Sequence, residues 1–457
     1  MRSIRAFVGL LLLSCLLGAS LAACDANGSA EGHCAGMASA TVPEAERQQS
    51  ACLDDLTTAG TAASGHTDPA DWAGLHPPGA TNPTGVPGIQ IDGYFPDTST
   101  GNTTHGWNHD SQFVIRMPDQ WNGGLVVSGP PGTREQYAND FVISDWVLAR
   151  GYAFAATDKG NVGGQFFQDG VAPADAIAEW HSRVTQLTVA AKAAVAQRYG
   201  RQADRTVAAG LSNGGYLVRW QLENRPSLYD AGLDWEGVLW REDGPSMLTS
   251  LPPALRGYQR FLAGDQAGGR AEVVAAGFPA ETEFLWDTHH RFYWDFTQRV
   301  FREELDPDYD GDLAAGIELC ASGTPNCDAD YNYFARPDEV RDAVRRISLT
   351  GRIGQPMITL HGTLDTLLPI GLDSDVYRAM IDSAGQGGIH RYYRIEGGSH
   401  VDGQYGQYPD RVRPILPCFR AGLAALEGWL AGVAPPPNAT LPRPTSGDLA
   451  NNCSLTG

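Results

Sequence analysis

The chain has 457 residues, with 33 Lys and Arg against 53 Asp and Glu, which gives a formal net charge of −20. This acidity excludes nucleic acid as a partner, because binding DNA or RNA depends on a basic surface that neutralises phosphates. Hydrophobic residues make up 42% of the chain and charged residues 19%, which is typical of a packed globular protein, while 54 glycines and 29 prolines indicate many loops.

The first 24 residues have the pattern of an export signal. Two arginines precede residues 6–21, which are almost entirely apolar but too few for a spanning helix. The run ends in Leu-Ala-Ala-Cys24, which resembles a bacterial lipobox, in which the cysteine is lipidated. We therefore predict a signal peptide at 1–24 and an exported protein, extracellular or tethered to the cell surface through Cys24. Ordinary cleavage after Ala22 is the alternative.

The remaining cysteines fit an oxidising compartment. Apart from Cys15 and Cys24, the chain has six cysteines, and an even number in an exported protein indicates disulfides. Six cysteines allow fifteen pairings. Proximity in sequence favours Cys34 with Cys52, Cys320 with Cys327, and Cys418 with Cys453. The spacing of cysteines and histidines does not suggest a zinc site.

Regular secondary structure is expected from residue 88 onwards, because residues 25–87 are rich in Ala, Gly, Thr and Pro and are predicted as a linker and lead-in segment. Short apolar runs predict eight strands, at 88–94, 113–117, 125–128, 152–157, 206–211, 237–240, 356–361 and 391–395. Helical patterns occupy 136–150, 174–199, 214–224, 372–384 and 413–430. Later strands alternate with helices, which predicts an α/β fold with a mostly parallel eight-stranded sheet and helices on both faces.

One segment interrupts this alternation. Residues 243–350 are helical in pattern, acidic and rich in aromatic residues, and we predict a large helical lid insertion there. The lid would divide the core into 88–242 and 351–432. Residues 433–457 are predicted as a C-terminal tail that Cys453 pins to the surface.

The strongest motif is an apolar strand that runs through Gly210-Leu-Ser212-Asn-Gly214 into a helix. The turn between such a strand and helix is so tight that a side chain on either side of the serine would clash. It lifts the serine hydroxyl to the helix N-terminus, which favours developing negative charge. Ser212 is therefore predicted as a nucleophile.

A serine hydroxyl needs a base, and the base needs an orienting acid. His400 follows the last predicted strand and Asp365 lies just past the strand before it, so both are placed at the same edge of the sheet. The order Ser, Asp, His is that of an α/β-hydrolase. Among the alternatives, His361 is predicted to form hydrogen bonds within its strand end, and Asp402 is too close in sequence to orient His400.

Acyl transfer also requires N–H donors for the oxyanion. One donor is predicted to be the backbone N–H of Asn213, directly after the nucleophile. The second should come from the loop after an early strand. Pro130 and Pro131 in that loop have no N–H, which favours Gly132, with Thr133 as the alternative.

These residues, together with the sequences at 118–123, 148–158 and 229–240, resemble the α/β-hydrolase superfamily over about residues 88–432. In detail they are similar to the tannase and feruloyl esterase family and to 3-hydroxybutyrate oligomer hydrolases. The resemblance implies a hydrolase sheet with a large lid and substrates that are esters of phenolic or hydroxy acids. Tannases join cysteines next to the serine and histidine, whereas this chain has Leu211 and Val401 there.

The lid carries one candidate metal site. Asp306, Asp308 and Asp310 alternate before Gly311, a pattern that resembles the start of a calcium loop, although the twelfth position is Ile317 rather than Glu. An acidic solvated loop is the alternative. The chemistry itself requires no cofactor, so calcium would be structural.

Taken together, the motifs predict a secreted serine esterase that cleaves small or oligomeric esters through an acyl-enzyme. Two alternatives stay open. One is a serine peptidase on the same fold, and the other is a catalytically inactive surface lipoprotein that binds its target.

Overall fold

The computed structural model describes residue 34, residues 40–309 and residues 327–456. Its centre is a sheet of ten strands in the order β1-β2-β3-β5-β4-β6-β7-β8-β9-β10. The strands are β1 Arg47–Leu53, β2 Gly88–Tyr94, β3 Gln112–Pro118, β4 Gly124–Ser128, β5 Ala153–Thr157, β6 Arg205–Leu211, β7 Ala231–Trp235, β8 Met357–Gly362, β9 His390–Ile395 and β10 Ala439–Leu441. The pairs β1–β2, β2–β3 and β3–β5 are antiparallel, and the pairs from β5–β4 to β9–β10 are parallel.

Helices cover both faces of this sheet, which is why its central strands are continuous apolar runs. The helices are α1 Thr58–Ala63, α2 Asp145–Ala149, α3 Asp175–Tyr199, α4 Asn213–Asn224, α5 Met247–Leu262, α6 Gln266–Ala275, α7 Glu283–His289, α8 Asp295–Leu305, α9 Asp338–Ile347, α10 Ser374–Ser383 and α11 Leu416–Leu430. Neighbouring side chains of β4 point to opposite sides. Val127 joins the core under α3 and α4, and Val126 joins the core under α2 and α11.

The predicted α/β architecture with a mostly parallel sheet is confirmed, but the number of eight strands is wrong. β1 lies in the segment predicted as a lead-in, and β10 lies in the predicted tail. β1 has the polar sequence RQQSACL and is a strand because β2 supplies its hydrogen bonds. A third error concerns the strand predicted at 237–240. The strand is β7, which ends at Trp235, because Glu236 has a positive φ of 52° that breaks the extended run.

The helices α5 to α9 lie between β7 and β8, in the segment predicted as a lid. Trp286 and Trp294 of its aromatic cluster are fully buried, whereas Phe292 and Phe296 are 67% and 45% exposed. The indole N–H of Trp294 donates to the carbonyl of Thr366 at 2.6 Å. This bond attaches the inserted helices to the loop that follows β8.

Two of the predicted disulfides are confirmed. Cys34 pairs with Cys52 of β1, and Cys418 of α11 pairs with Cys453, so the tail is pinned as predicted. The third predicted pair includes Cys320, and the predicted signal includes Cys24. Both cysteines lie outside the described residues. Within the described ranges, none of the helices combines the length and the hydropathy that crossing a bilayer requires.

Candidate active site

The strand β6 passes directly into α4, and Ser212 occupies the turn between them. Ser212 has a φ of 58°, which is uncommon for a residue with a side chain and costs about 1–3 kcal/mol. A Cβ on Gly210 would lie 2.3 Å from the backbone of Gly214, and a Cβ on Gly214 would lie 2.3 Å from the carbonyl oxygen of Gly129. Only glycine fits at either position, so the turn that presents the serine depends on both.

The residues predicted as nucleophile, base and acid meet at the carboxyl ends of the parallel strands. Oγ of Ser212 lies 3.0 Å from Nε2 of His400. Nδ1 of His400 lies 2.8 Å from Oδ2 of Asp365, which follows β8. All three are buried, Ser212 being 7%, His400 5% and Asp365 0% exposed. The three side chains therefore form one hydrogen-bonded chain shielded from water.

Asp365 is held as an anion. Its Oδ1 accepts hydrogen bonds from the backbone N–H groups of Leu367 and Leu368, both at 2.8 Å. Nε2 of His361 lies 3.2 Å from Oδ2. Although burial opposes it, the imidazoles of His400 and His361 hold the pKa of Asp365 well below its usual range. An ionised Asp365 accepts the Nδ1–H of His400, which leaves Nε2 free to accept the serine proton.

His361 forms the hydrogen bonds that its sequence position predicts. Its Nε2 lies 2.9 Å from the carbonyl oxygen of Leu368, and its Nδ1 lies 2.7 Å from Oγ of Ser374. It therefore braces the loop that carries Asp365.

Glu236 is a residue of the site that the sequence prediction missed. It follows β7, and its Oε2 lies 3.5 Å from Nδ1 of His400. Its Oε1 accepts a hydrogen bond from the N–H of Gly362 at 2.8 Å. Burial, together with the charge of Asp365, raises the pKa of Glu236 well above its usual value. An acid at the end of a parallel strand could have indicated this residue. The sequence prediction placed the strand at 237–240, so Glu236 preceded the predicted strand instead of following it.

The predicted oxyanion residues lie together as well. Asn213 is the first residue of α4, where a backbone N–H has no carbonyl partner within the helix. Its side-chain Nδ2 donates to the carbonyl of Gly132 at 3.0 Å. Gly132 has a φ of 52°, which favours glycine at that turn.

Lys159 is a second residue that the sequence prediction missed. Its Nζ donates to the same carbonyl of Gly132 at 3.2 Å and lies 4.9 Å from the ring centroid of Trp180. Burial lowers the pKa of Lys159 to about 7. Two donors thus fix the orientation of the peptide between Gly132 and Thr133, beside the serine.

Of the predicted calcium ligands, Asp306 already has partners within the protein. The carboxylate of Asp306 accepts hydrogen bonds from Arg336 at 2.5 and 3.2 Å and from the hydroxyl of Tyr331 at 3.0 Å. A cation would have to displace this ion pair. Asp308 is exposed, and Asp310 lies outside the described residues. The calcium site therefore stays a prediction.

The sheet, the strand–serine–helix turn and the chain order of the three residues define the α/β-hydrolase fold, as predicted. The sequence profile of the prolyl oligopeptidase family matches residues 146–242, the stretch that contains Ser212. The solved structure of feruloyl esterase B from Aspergillus oryzae shares the fold with a TM-score of 0.54 at 14% identity, and the match covers 85% of this chain and 88% of that one.

Two curated proteins are similar in sequence over shorter stretches. Mono(2-hydroxyethyl) terephthalate hydrolase of Piscinibacter sakaiensis is 31% identical over 140 residues, which are 27% of this chain and 23% of the relative. D-(-)-3-hydroxybutyrate oligomer hydrolase of Azoarcus sp. (strain BH72) is 29% identical over 114 residues, 23% of this chain and 16% of the relative. The chain thus matches less than a quarter of either relative's length. The predicted resemblance to feruloyl esterases and hydroxybutyrate oligomer hydrolases is confirmed.

Proposed function

We propose that the protein is a serine hydrolase that cleaves carboxylic esters through an acyl-enzyme on Ser212. The observation that carries this proposal is the unbroken hydrogen-bonded chain from Asp365 through His400 to Ser212, with distances of 2.8 and 3.0 Å. This geometry is what a serine needs to become a nucleophile at neutral pH.

In the proposed reaction, Nε2 of His400 takes the proton from Oγ of Ser212 as the oxygen attacks the ester carbonyl. Asp365 stabilises the imidazolium that forms and keeps the ring in place. The oxyanion lies against the backbone N–H of Asn213 and the turn at Gly132, where each donor contributes about 3 kcal/mol to lowering the barrier. His400 then gives its proton to the leaving alcohol, and a water molecule activated by His400 releases the acid.

The substrate class rests on the relatives and on the net charge. The names of the relatives refer to terephthalate, feruloyl and 3-hydroxybutyrate compounds. We infer that the substrates are small or oligomeric esters of phenolic or hydroxyalkanoic acids. A net charge of −20 disfavours polyanionic substrates.

We also propose that the protein is exported and anchored through a lipid on Cys24. The support is the lipobox pattern and the two disulfides, which persist in an oxidising compartment. Mass spectrometry of the mature N-terminus in a bacterial host tests this. An acylated Cys24 is expected, and a mature chain that begins at Ala23 without lipid would contradict it.

A serine peptidase is the second candidate, because the profile of the prolyl oligopeptidase family matches residues 146–242. An inactive binding protein is disfavoured, since the hydrogen-bonded chain from Asp365 to Ser212 is intact.

One experiment separates these functions. The protein is incubated with a fluorophosphonate probe and assayed on p-nitrophenyl butyrate and on aminoacyl p-nitroanilides, with Ser212→Ala as the control. Labelling of the native chain alone, with ester turnover far above anilide turnover, is the expected result. Anilide turnover without ester turnover would favour the peptidase, and absence of labelling would contradict both enzymes. Methyl ferulate, methyl gallate and hydroxybutyrate oligomers then rank the acyl groups.

A further inference from the structure

A second carboxyl group lies in the candidate site and takes no part in the proposed reaction. Glu236 is fully buried at the end of β7, and Asp365 follows β8, the strand that pairs with β7. Nδ1 of His400 is 3.5 Å from Oε2 of Glu236 and 2.8 Å from Oδ2 of Asp365. Two acids from neighbouring strands therefore converge on one nitrogen.

The two carboxyl groups cannot both be charged at the same time in this place, because burial and a nearby like charge each favour the neutral form. Asp365 is the better stabilised anion, since it accepts two backbone N–H groups and also contacts His361 and His400. Glu236 accepts one N–H, that of Gly362, on Oε1. Within the described part of the chain, its Oε2 accepts no hydrogen bond.

A proton on Glu236 accounts for this unpartnered oxygen. One oxygen of Glu236, one oxygen of Asp365 and a ring nitrogen of His361 all lie within 4.8 Å of one another. The O–H of a carboxylic acid donates to a carboxylate, which pairs two groups that would otherwise repel. The backbone supports this position, because the N–H of Glu236 donates to the carbonyl of Leu360 at 2.9 Å despite its positive φ.

We propose that Glu236 is a positioning residue that acts through Asp365 and can replace it. While Asp365 is present, Glu236 keeps its proton and donates it to that carboxylate. When Asp365 is removed, the proton of Glu236 passes to solvent, and the new carboxylate accepts the Nδ1–H of His400. This inference rests on the proposed esterase function.

The test measures kcat and KM on p-nitrophenyl butyrate for Asp365→Ala, Glu236→Gln, Glu236→Ala and the double variant Asp365→Ala/Glu236→Gln. Asp365→Ala should lower kcat about 100-fold with KM unchanged, because Glu236 takes over. The double variant should lower kcat about 10⁴-fold, the loss expected when no acid orients the histidine. Glu236→Gln, whose amide still donates to Asp365, should lower kcat about threefold, and Glu236→Ala about tenfold.

Equal kcat values for Asp365→Ala and the double variant would overturn the proposal, as would equal losses for Glu236→Gln and Glu236→Ala. The rate constant of fluorophosphonate labelling is expected to differ between the variants by the same ratios. Only folded molecules are labelled, so the comparison stays valid if a variant is partly unfolded. Absence of ester turnover in the native chain would overturn the proposed function as well. If the native chain turns over the ester and Asp365→Ala and the double variant have the same kcat, only the proposed role of Glu236 is contradicted.

Discussion

Two clusters of buried charge lie next to each other in this sheet, and they are built in opposite ways. The Arg219 cluster consists of Arg219, Asp234, Asp373, Ser374 and Thr359. The triad cluster consists of Ser212, His400, Asp365, His361 and Glu236. They touch where Nδ1 of His361 lies 2.7 Å from Oγ of Ser374.

In the Arg219 cluster, the guanidinium and both carboxylates form hydrogen bonds. The guanidinium of Arg219 contacts Asp234 and Asp373 at 2.8 Å each and Ser374 at 2.7 Å. The second carboxylate oxygens of Asp234 and Asp373 accept backbone N–H groups at 2.8 Å. Although burial opposes it, these two carboxylates raise the pKa of Arg219. A buried ion pair of this kind holds the strands in position, and its hydrogen-bonding groups are already engaged with one another.

The triad cluster is hydrogen-bonded as well, but it contains two residues with a strained backbone. Ser212 and Glu236 have positive φ values of 58° and 52°, and among the residues that the structure describes Oε2 of Glu236 has no hydrogen-bond partner. Strain and unpaired polar atoms gather where a protein binds or reacts, and the surrounding packing compensates for their cost. Under the proposed function, buried charge serves stability in the Arg219 cluster and reactivity in the triad cluster. Variants in the two clusters should therefore separate activity from stability.

The largest effect is expected from Ser212→Ala. Removing the nucleophile should lower kcat on esters about 10⁶-fold, while the free energy of unfolding changes by about 1 kcal/mol or less. Steady-state turnover of p-nitrophenyl butyrate measures the change in kcat, and urea denaturation measures the change in the free energy of unfolding. A loss of several kcal/mol in stability would break the comparison, because it would make the triad cluster a structural one.

Arg219→Met should have the reverse profile. It leaves Asp234 and Asp373 buried without their cation, so the free energy of unfolding should fall by about 3–5 kcal/mol. The matched control is Arg201→Met, because the Arg201–Asp204 pair at 2.7 Å is 49% and 57% exposed and should contribute less than about 1 kcal/mol. Equal losses in the two variants would contradict a structural role for the Arg219 cluster.

Lys159→Met tests the support of the oxyanion turn. Losing one of the two donors to the Gly132 carbonyl should lower kcat about tenfold with KM little changed. Lys192→Met is the control, since Nζ of Lys192 also donates to a backbone carbonyl, that of Leu228, at 2.6 Å. A tenfold loss in both variants would mean that the effect is general rather than local.

The last effect concerns pH. Burial lowers the pKa of Lys159 to about 7 in the folded protein, whereas the unfolded chain should titrate near 10.4. Between these values the unfolded state binds more protons, so this group makes stability rise with pH by about 1 kcal/mol per unit from pH 7 to 10. Urea denaturation at several pH values should show that the free energy of unfolding rises less steeply with pH in Lys159→Met than in the native protein. An identical slope in both proteins would exclude a buried, neutral Lys159.

The sequence predicted those parts of the site that depend on local pattern. The strand, the glycines and the helix around Ser212 are contiguous, and Asp365 and His400 each follow a clear apolar strand. Glu236 and Lys159 could not be predicted in this way, because their roles depend on which strand ends and loops lie side by side.

The same reason explains the errors in the fold. β1 and β10 are short or polar and become strands through the hydrogen bonds of β2 and β9. β7 contains Asp234, which interrupts an apolar pattern and is tolerated because Arg219 pairs with it. Pairing across the sheet is long-range information that hydrophobic periodicity does not contain.

The most direct test of the central claim is to trap the acyl-enzyme. The protein is mixed with p-nitrophenyl butyrate, quenched in acid within the burst phase and digested for mass spectrometry. The account predicts one butyryl group on Ser212 in the native chain and none in Ser212→Ala. Ester turnover that persists in Ser212→Ala, or an acyl group carried by another residue, would contradict it.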